Sequence, residues 1–133
     1  PAISMAASAV SAIPAVRAYL LDTQRNIAAT HSVIMDGRDI GTTVFPDAEL
    51  KIFMTASAEI RAERRAAEMR AKGDDVNIED VKKNLLERDY IDSHRETSPL
   101  SKAEDAIVLD NSHMTMEAQM VWLKGIMAER FGC

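Results

Sequence analysis

The stretch Val33-Ile34-Met35-Asp36-Gly37-Arg38-Asp39-Ile40-Gly41-Thr42 constrains the fold more than any other in the chain. Val33 to Met35 is apolar, too brief for a helix and closed by an acid and a glycine, so it reads as a buried strand. A strand that runs into an acid and a glycine-flanked Arg-Asp pair is how α/β enzymes present polar groups at the carboxyl edge of a parallel sheet. Two more strands are expected, Leu50 to Met54 after the turn Phe45-Pro46-Asp47-Ala48, and Ala106 to Asp110.

Helices fill the intervals. An Ala- and Ser-rich helix spans about residues 3 to 12, and Pro14 opens a second, to about residue 29, where its missing N–H costs nothing. Ser57 starts a third that ends near Lys72 at Gly73, and Asn77 or Ile78 starts a fourth that reaches about His94. The last runs from Met114 to about Arg130, with Met116, Met120, Leu123 and Met127 turned inward. Strands alternating with helices predict an α/β fold with a parallel sheet in one domain, although three strands are few for a sheet covered on both faces.

Composition narrows the function. The 133 residues carry 16 basic and 21 acidic side chains, a net charge of −5, which argues against the basic footprint of a nucleic-acid-binding protein. The one cysteine, Cys133, permits no disulfide within the chain and no thiolate zinc site. The apolar opening has no basic leader region and runs into the helix bearing Arg17, so it is not read as a secretory segment, and no run is long enough to span a membrane. A soluble, cytoplasmic protein is expected.

Several charged groups admit two readings. Asp36 ends a strand where a carboxylate reaches Mg²⁺ directly or through water, or it caps the turn that follows. Arg38 and Asp39 suit a phosphate and an amino or hydroxyl donor, or they form an internal ion pair. Arg88, Asp92 and Arg95 share one helix face, as a ligand site and a solvated ion-pair face both would, and Arg61, Arg64 and Arg65 are equally ambiguous. Asp110 is read as a turn cap, because nothing basic or glycine-rich follows it. His94 is read as a surface histidine, and the terminal methionines as core filler.

The combination Asp36-Gly-Arg-Asp-Ile-Gly-Thr, Val44-Phe-Pro-Asp-Ala-Glu-Leu-Lys-Ile-Phe, Glu87-Arg88-Asp89 with Asp92 and Arg95, Pro99-Leu100 and Ala103-Glu-Asp-Ala-Ile-Val closely resembles the bacterial cytidylate kinases, from Ala6 to the last helix. The resemblance implies a P-loop nucleoside monophosphate kinase fold that transfers the γ-phosphoryl group of ATP, with Mg²⁺, to CMP or dCMP. It assigns Ser8, Arg17 and Asp39 to the cytosine edge, Arg38, Arg88 and Arg95 to phosphate, Asp92 to the sugar and Asp36 to the magnesium shell. Arg64 and Arg65 would face ATP at the start of a helical lid spanning about residues 64 to 98.

The departure lies at the front. No Gly-x-x-x-x-Gly-Lys-Ser/Thr occurs among these residues, so the expectation is a carboxyl-terminal part of the enzyme, inactive alone, with an incomplete sheet. The competing readings are a non-catalytic nucleotide-binding or association module, which would pair with a second copy of itself, and a UMP/CMP or other small-molecule kinase of the same fold.

Overall fold

A computed structural model describes residues 2 to 132; Pro1 and Cys133 lie outside the described residues. Helix α1 (Ala2–Ser11) meets helix α2 (Pro14–Thr30) at 88°. Pro14 is the cause of this corner, since it removes a backbone donor and holds its own φ at a helix-starting value. Strand β1 (Ile52–Thr55) leads into α3 (Ala58–Ala71) and α4 (Ile78–His94), which together cross to strand β2 (Ile107–Asp110), and α5 (Met116–Phe131) closes the chain. The strands pair in parallel from Ile52 opposite Ile107 to Thr55 opposite Asp110. The fold is α/β, as the sequence predicts.

Local chemistry sets the helix boundaries. Ser57 Oγ accepts from the Ile60 N–H at 3.2 Å to cap α3, and Gly73, at φ +88°, takes the left-handed turn that ends it. Asn77 Oδ1 accepts from Glu79 N at 2.9 Å and starts α4. Thr115 Oγ1 accepts from Ala118 N at 3.0 Å and starts α5.

Two expectations fail. Val33 to Met35 is extended but forms no strand, because a strand exists only where a neighbour completes its hydrogen bonds, and among the described residues only β1 and β2 pair. Ile34 is 90% exposed as a result. On α5, Met116 is 72% exposed and Met120 also faces outward; the half-buried side is formed by Trp122, Leu123, Ile126 and Met127.

The apolar core is small and belongs mainly to the α3–α4 pair. Ala62, Ala66 and Val81 are buried there, with Met69, Val76, Ile78 and Leu85 packed around them. Alanines at α3 positions 62 and 66 sit one turn apart and let the helices approach closely. Arg61 pairs with Asp89 at 2.7 Å and Lys82 with Glu59 at 2.8 Å across the same seam. By contrast, α2 buries no residue completely and α1 buries only Ser8. Those helices are therefore attached by polar contacts.

Ala66 is 0% exposed, so Ala66→Leu should overpack the seam and destabilise the protein by about 1–3 kcal/mol. Urea unfolding checks this against Ala67→Leu, an exposed neighbour whose substitution should leave the midpoint in place.

Candidate functional site

The helix corner, the Asp36–Val44 segment and the end of α4 converge on a cleft of about 430 Å³. Pro14, Leu20, Leu21 and Ile40 give it an apolar wall, and Arg17, Asp36, Arg38, Asp39 and Arg95 give it charge. The Asp36–Val44 segment is shaped by one turn of π-helix, Ile40–Val44. Its N–H groups at Thr43 and Val44 both donate to the Asp39 carbonyl, at 2.9 and 3.1 Å, which fixes the backbone from which the Asp39 side chain projects.

Two buried carboxylates organise the site. Asp92 is 1% exposed: Ser8 Oγ donates to its Oδ1, Arg38 Nε donates to its Oδ2 at 2.8 Å, and Arg88 Nε stands 3.9 Å from the same oxygen. Asp39 is bound by the Arg17 guanidinium, and Arg95 Nη2 lies 4.0 Å away. The Arg88–Asp92–Arg95 face is therefore buried and convergent, and the solvated reading of that spacing does not hold. Arg38 and Asp39 pair, but with Asp92 and Arg17 respectively, neither with the other.

Four guanidinium groups gather around these two carboxylates, and the other acids close to them are Asp36 on the cleft lip and Asp89 beside Arg88. The Arg17 Nε, Arg88 Nε and Arg95 Nη2 atoms are buried with no hydrogen-bond partner among the described residues. Burial lowers the Arg88 pKa from its ordinary value, and the positive charge of Arg38 adds to the shift against the pull of Asp92 and Asp89. Burial lowers Arg95 in the same way, reinforced by Arg17. Such a cluster favours an added anion. Chain reversal after α4 completes the wall: Arg95 Nε donates to the Ser98 carbonyl at 2.7 Å, and Ser98 itself holds φ +50°, an uncommon backbone for a residue before proline.

The other candidates are placed differently. Asp36 is exposed on the cleft lip. Ser8 does not line the cleft; its hydroxyl is committed to Asp92. Arg64 donates to Asn111 Oδ1 at 2.9 Å and to the Asn111 carbonyl at 2.5 Å, beside the end of β2. Arg65 pairs with Glu68 at 3.3 Å and shares a small pocket with Arg88. Asp110 caps its own turn, accepting from the Ser112 N–H at 3.0 Å and hydroxyl at 2.7 Å. His94 stacks on Tyr90 at 4.0 Å. No group of three His, Cys, Asp or Glu side chains is arranged to hold a metal among the described residues.

Sequence reasoning misses Arg25 and Lys51. Arg25 donates to the carbonyls of Val44 and Thr43 at 3.0 and 2.9 Å, capping the π-turn. Its spacing of eight from Arg17 on α2 is the available signal, since residues two turns apart lie on one side of a helix.

Asp92 gives the site a pH signature. Burial by itself would raise its pKa, but the hydrogen bonds from Ser8 and Arg38 and the charges of Arg38 and Arg88 outweigh that and hold it below the usual carboxylate range. A depressed folded pKa means that its contribution is complete above the unfolded value, about 3.9, and is lost as pH falls through the lower folded value. Asp92→Asn should therefore cost about 2 kcal/mol near neutral pH, with the difference from the unsubstituted protein closing below about pH 4. Urea unfolding at a series of pH values checks this.

Among the described residues no single helix is long and apolar enough to cross a membrane. The sequence model of the family described as "Cytidylate kinase" matches residues 1–123. Curated cytidylate kinases are similar throughout. That of Bacteroides thetaiotaomicron is 51% identical over 130 residues, 98% of this chain and 55% of the relative. That of Flavobacterium johnsoniae is 56% identical over 117 residues, 88% of this chain and 51% of the relative. The Porphyromonas gingivalis protein is 51% identical over 122 residues, 91% and 53% respectively. The chain thus spans about half the length of the curated relatives it matches. With this similarity over most of its length, the chain belongs to the cytidylate kinase family, whose fold is that of the P-loop nucleoside monophosphate kinases.

Proposed function

We propose that the cleft binds cytidine monophosphate, ribo or deoxy, and that the protein to which these residues contribute transfers a phosphoryl group to it from ATP in the cytoplasm. The observation that carries this reading is the set of buried guanidinium nitrogens of Arg17, Arg88 and Arg95 that have no hydrogen-bond partner among the described residues, beside an apolar wall. A phosphate monoester supplies negative charge and acceptor oxygens for such donors, and an aromatic base suits the wall formed by Leu20, Leu21 and Ile40.

Asp39 accepts from the cytosine amino group, while Arg17 and Ser8 supply donors to the N3 and O2 edge, each giving up a carboxylate contact it makes here. Uracil presents a carbonyl where cytosine has the amino group, so Asp39 would face an acceptor and leave it unpaired in a desolvated site. Arg38, Arg88 and Arg95 hold the phosphate oxygens and stabilise charge that develops during transfer. Asp92 takes a sugar hydroxyl.

Mg²⁺ at the ATP phosphates supplies charge neutralisation and alignment. A lone carboxylate at the cleft lip suits this ion, which binds through one or two carboxylates together with substrate phosphates and water, and Asp36 would be that group. Residues 64 to 98, from mid-α3 through α4, act as the lid that excludes water, with Arg64 and Arg65 near its base on the ATP side. These 133 residues contain no Gly-x-x-x-x-Gly-Lys-Ser/Thr, so by themselves they turn over little CMP.

Isothermal titration should show CMP binding to this chain, with UMP weaker and Asp39→Ala reducing CMP affinity by roughly tenfold or more. Equal affinity for CMP in the two proteins would remove Asp39 from the base site. Production of CDP from CMP and ATP at kinase-like rates by these residues alone would overturn the claim that they depend on an absent phosphate loop.

One observation favours self-association as a second property. Met54 and Val108, on the short two-stranded sheet, are exposed apolar side chains. Light scattering should then give a mass that rises with concentration, and a monomer throughout would count against it.

A further inference from the structure

Lys51, just before β1, is 9% exposed, a burial that lysine rarely reaches without partners. Its ammonium donates to the Pro46 carbonyl and to Asp105 Oδ1, the latter at 2.9 Å. Its stem lies against Gly41, where an added Cβ would come within 3.2 Å of Lys51 Cδ. Gly41 is the second residue of the π-turn whose N–H groups close on the Asp39 carbonyl. From the opposite side, Arg25 of α2 caps the carbonyls of the same turn. The segment carrying Arg38 and Asp39 is thus clamped between α2 and the sheet.

We propose that Lys51 is a positioning residue for base recognition: by binding the Pro46 carbonyl and packing under Gly41, it fixes the π-turn and hence the angle at which Asp39 meets the base. It does not line the cleft, so it acts through the turn alone. This rests on the base-reading role given to Asp39 above. Asp105 is largely exposed and only takes a second bond from the ammonium, its own pKa lowered chiefly by that hydrogen bond.

The test combines residue-resolved amide exchange with calorimetry using CMP and inorganic phosphate on Lys51→Met, Lys51→Arg and Asp105→Asn. Lys51→Met should speed exchange at Thr43 and Val44 by roughly tenfold and leave the cap-bonded amides of Ile60 and Ala118 unchanged. CMP should bind roughly tenfold more weakly to Lys51→Met, with inorganic phosphate altered by less than about twofold. Lys51→Arg should restore most of both, and Asp105→Asn should resemble the unsubstituted chain. Unchanged exchange at Thr43 and Val44, equal losses in Asp105→Asn and Lys51→Met, or faster exchange in every helix would each overturn the proposal. Absence of CMP binding to the unsubstituted chain would instead refute the reading of the cleft, while the exchange data still decide whether Lys51 holds the turn.

Discussion

A carboxylate taken out of water must be met by donors or cations, and Asp92 draws three separate parts of the chain to itself for that reason. Ser8 comes from α1, Arg38 from the segment before the π-turn, and Arg88 from one turn earlier on α4. The Asp92 carbonyl also receives the Leu100 N–H at 2.7 Å, which folds the segment after α4 back over the site. Because α1 contributes no fully buried apolar side chain, this polar junction does for it what a hydrophobic face does for α3 and α4. The residues that would grip a nucleotide are the ones that hold the helices together.

This dual use shapes the electrostatics. Arg17 and Arg38 neutralise the two carboxylates directly, while Arg88 and Arg95 are buried at longer range with donors unused. Their lowered pKa values reflect burial first and crowding by other guanidinium groups second. An incoming dianion would relieve both strains, so its binding energy would also appear as folding stability. The cleft and the fold are linked through the same charges.

Much of this was legible in local chemistry. Pro14, Ser57, Gly73 and Asn77 mark helix limits because capping and φ preferences act within a few residues, and those elements stand where the sequence predicts them. That Val33 to Met35 would form no strand was not legible, because an apolar run reports a side chain's preference for burial and carries no information about a partner strand. Nor could the spacing of Arg88, Asp92 and Arg95 decide between a solvated face and a buried site. That depends on Ser8, 84 positions away, and on Arg38, 54 away. The π-turn has no sequence signature at Ile40–Val44, so the supports given by Arg25 and Lys51 were hidden with it.

The same contacts limit how the proposed lid would move. α3 and α4 share the buried Ala62, Ala66 and Val81 cluster and two cross-pairs, so they would travel together. The middle of α3 is tied down: Arg64 holds Asn111 at the end of β2, and Asn111 Nδ2 donates to Gln119 Oε1 of α5 at 3.1 Å. Closure would therefore pivot near Arg64 and exchange the bonds at the far end of α4, where Ser8 and Arg38 hold Asp92. A nucleotide that took its phosphate contacts from Arg38 and Arg88 and its sugar contact from Asp92 would compete for those very bonds, which couples ligand capture to lid position without any further signal.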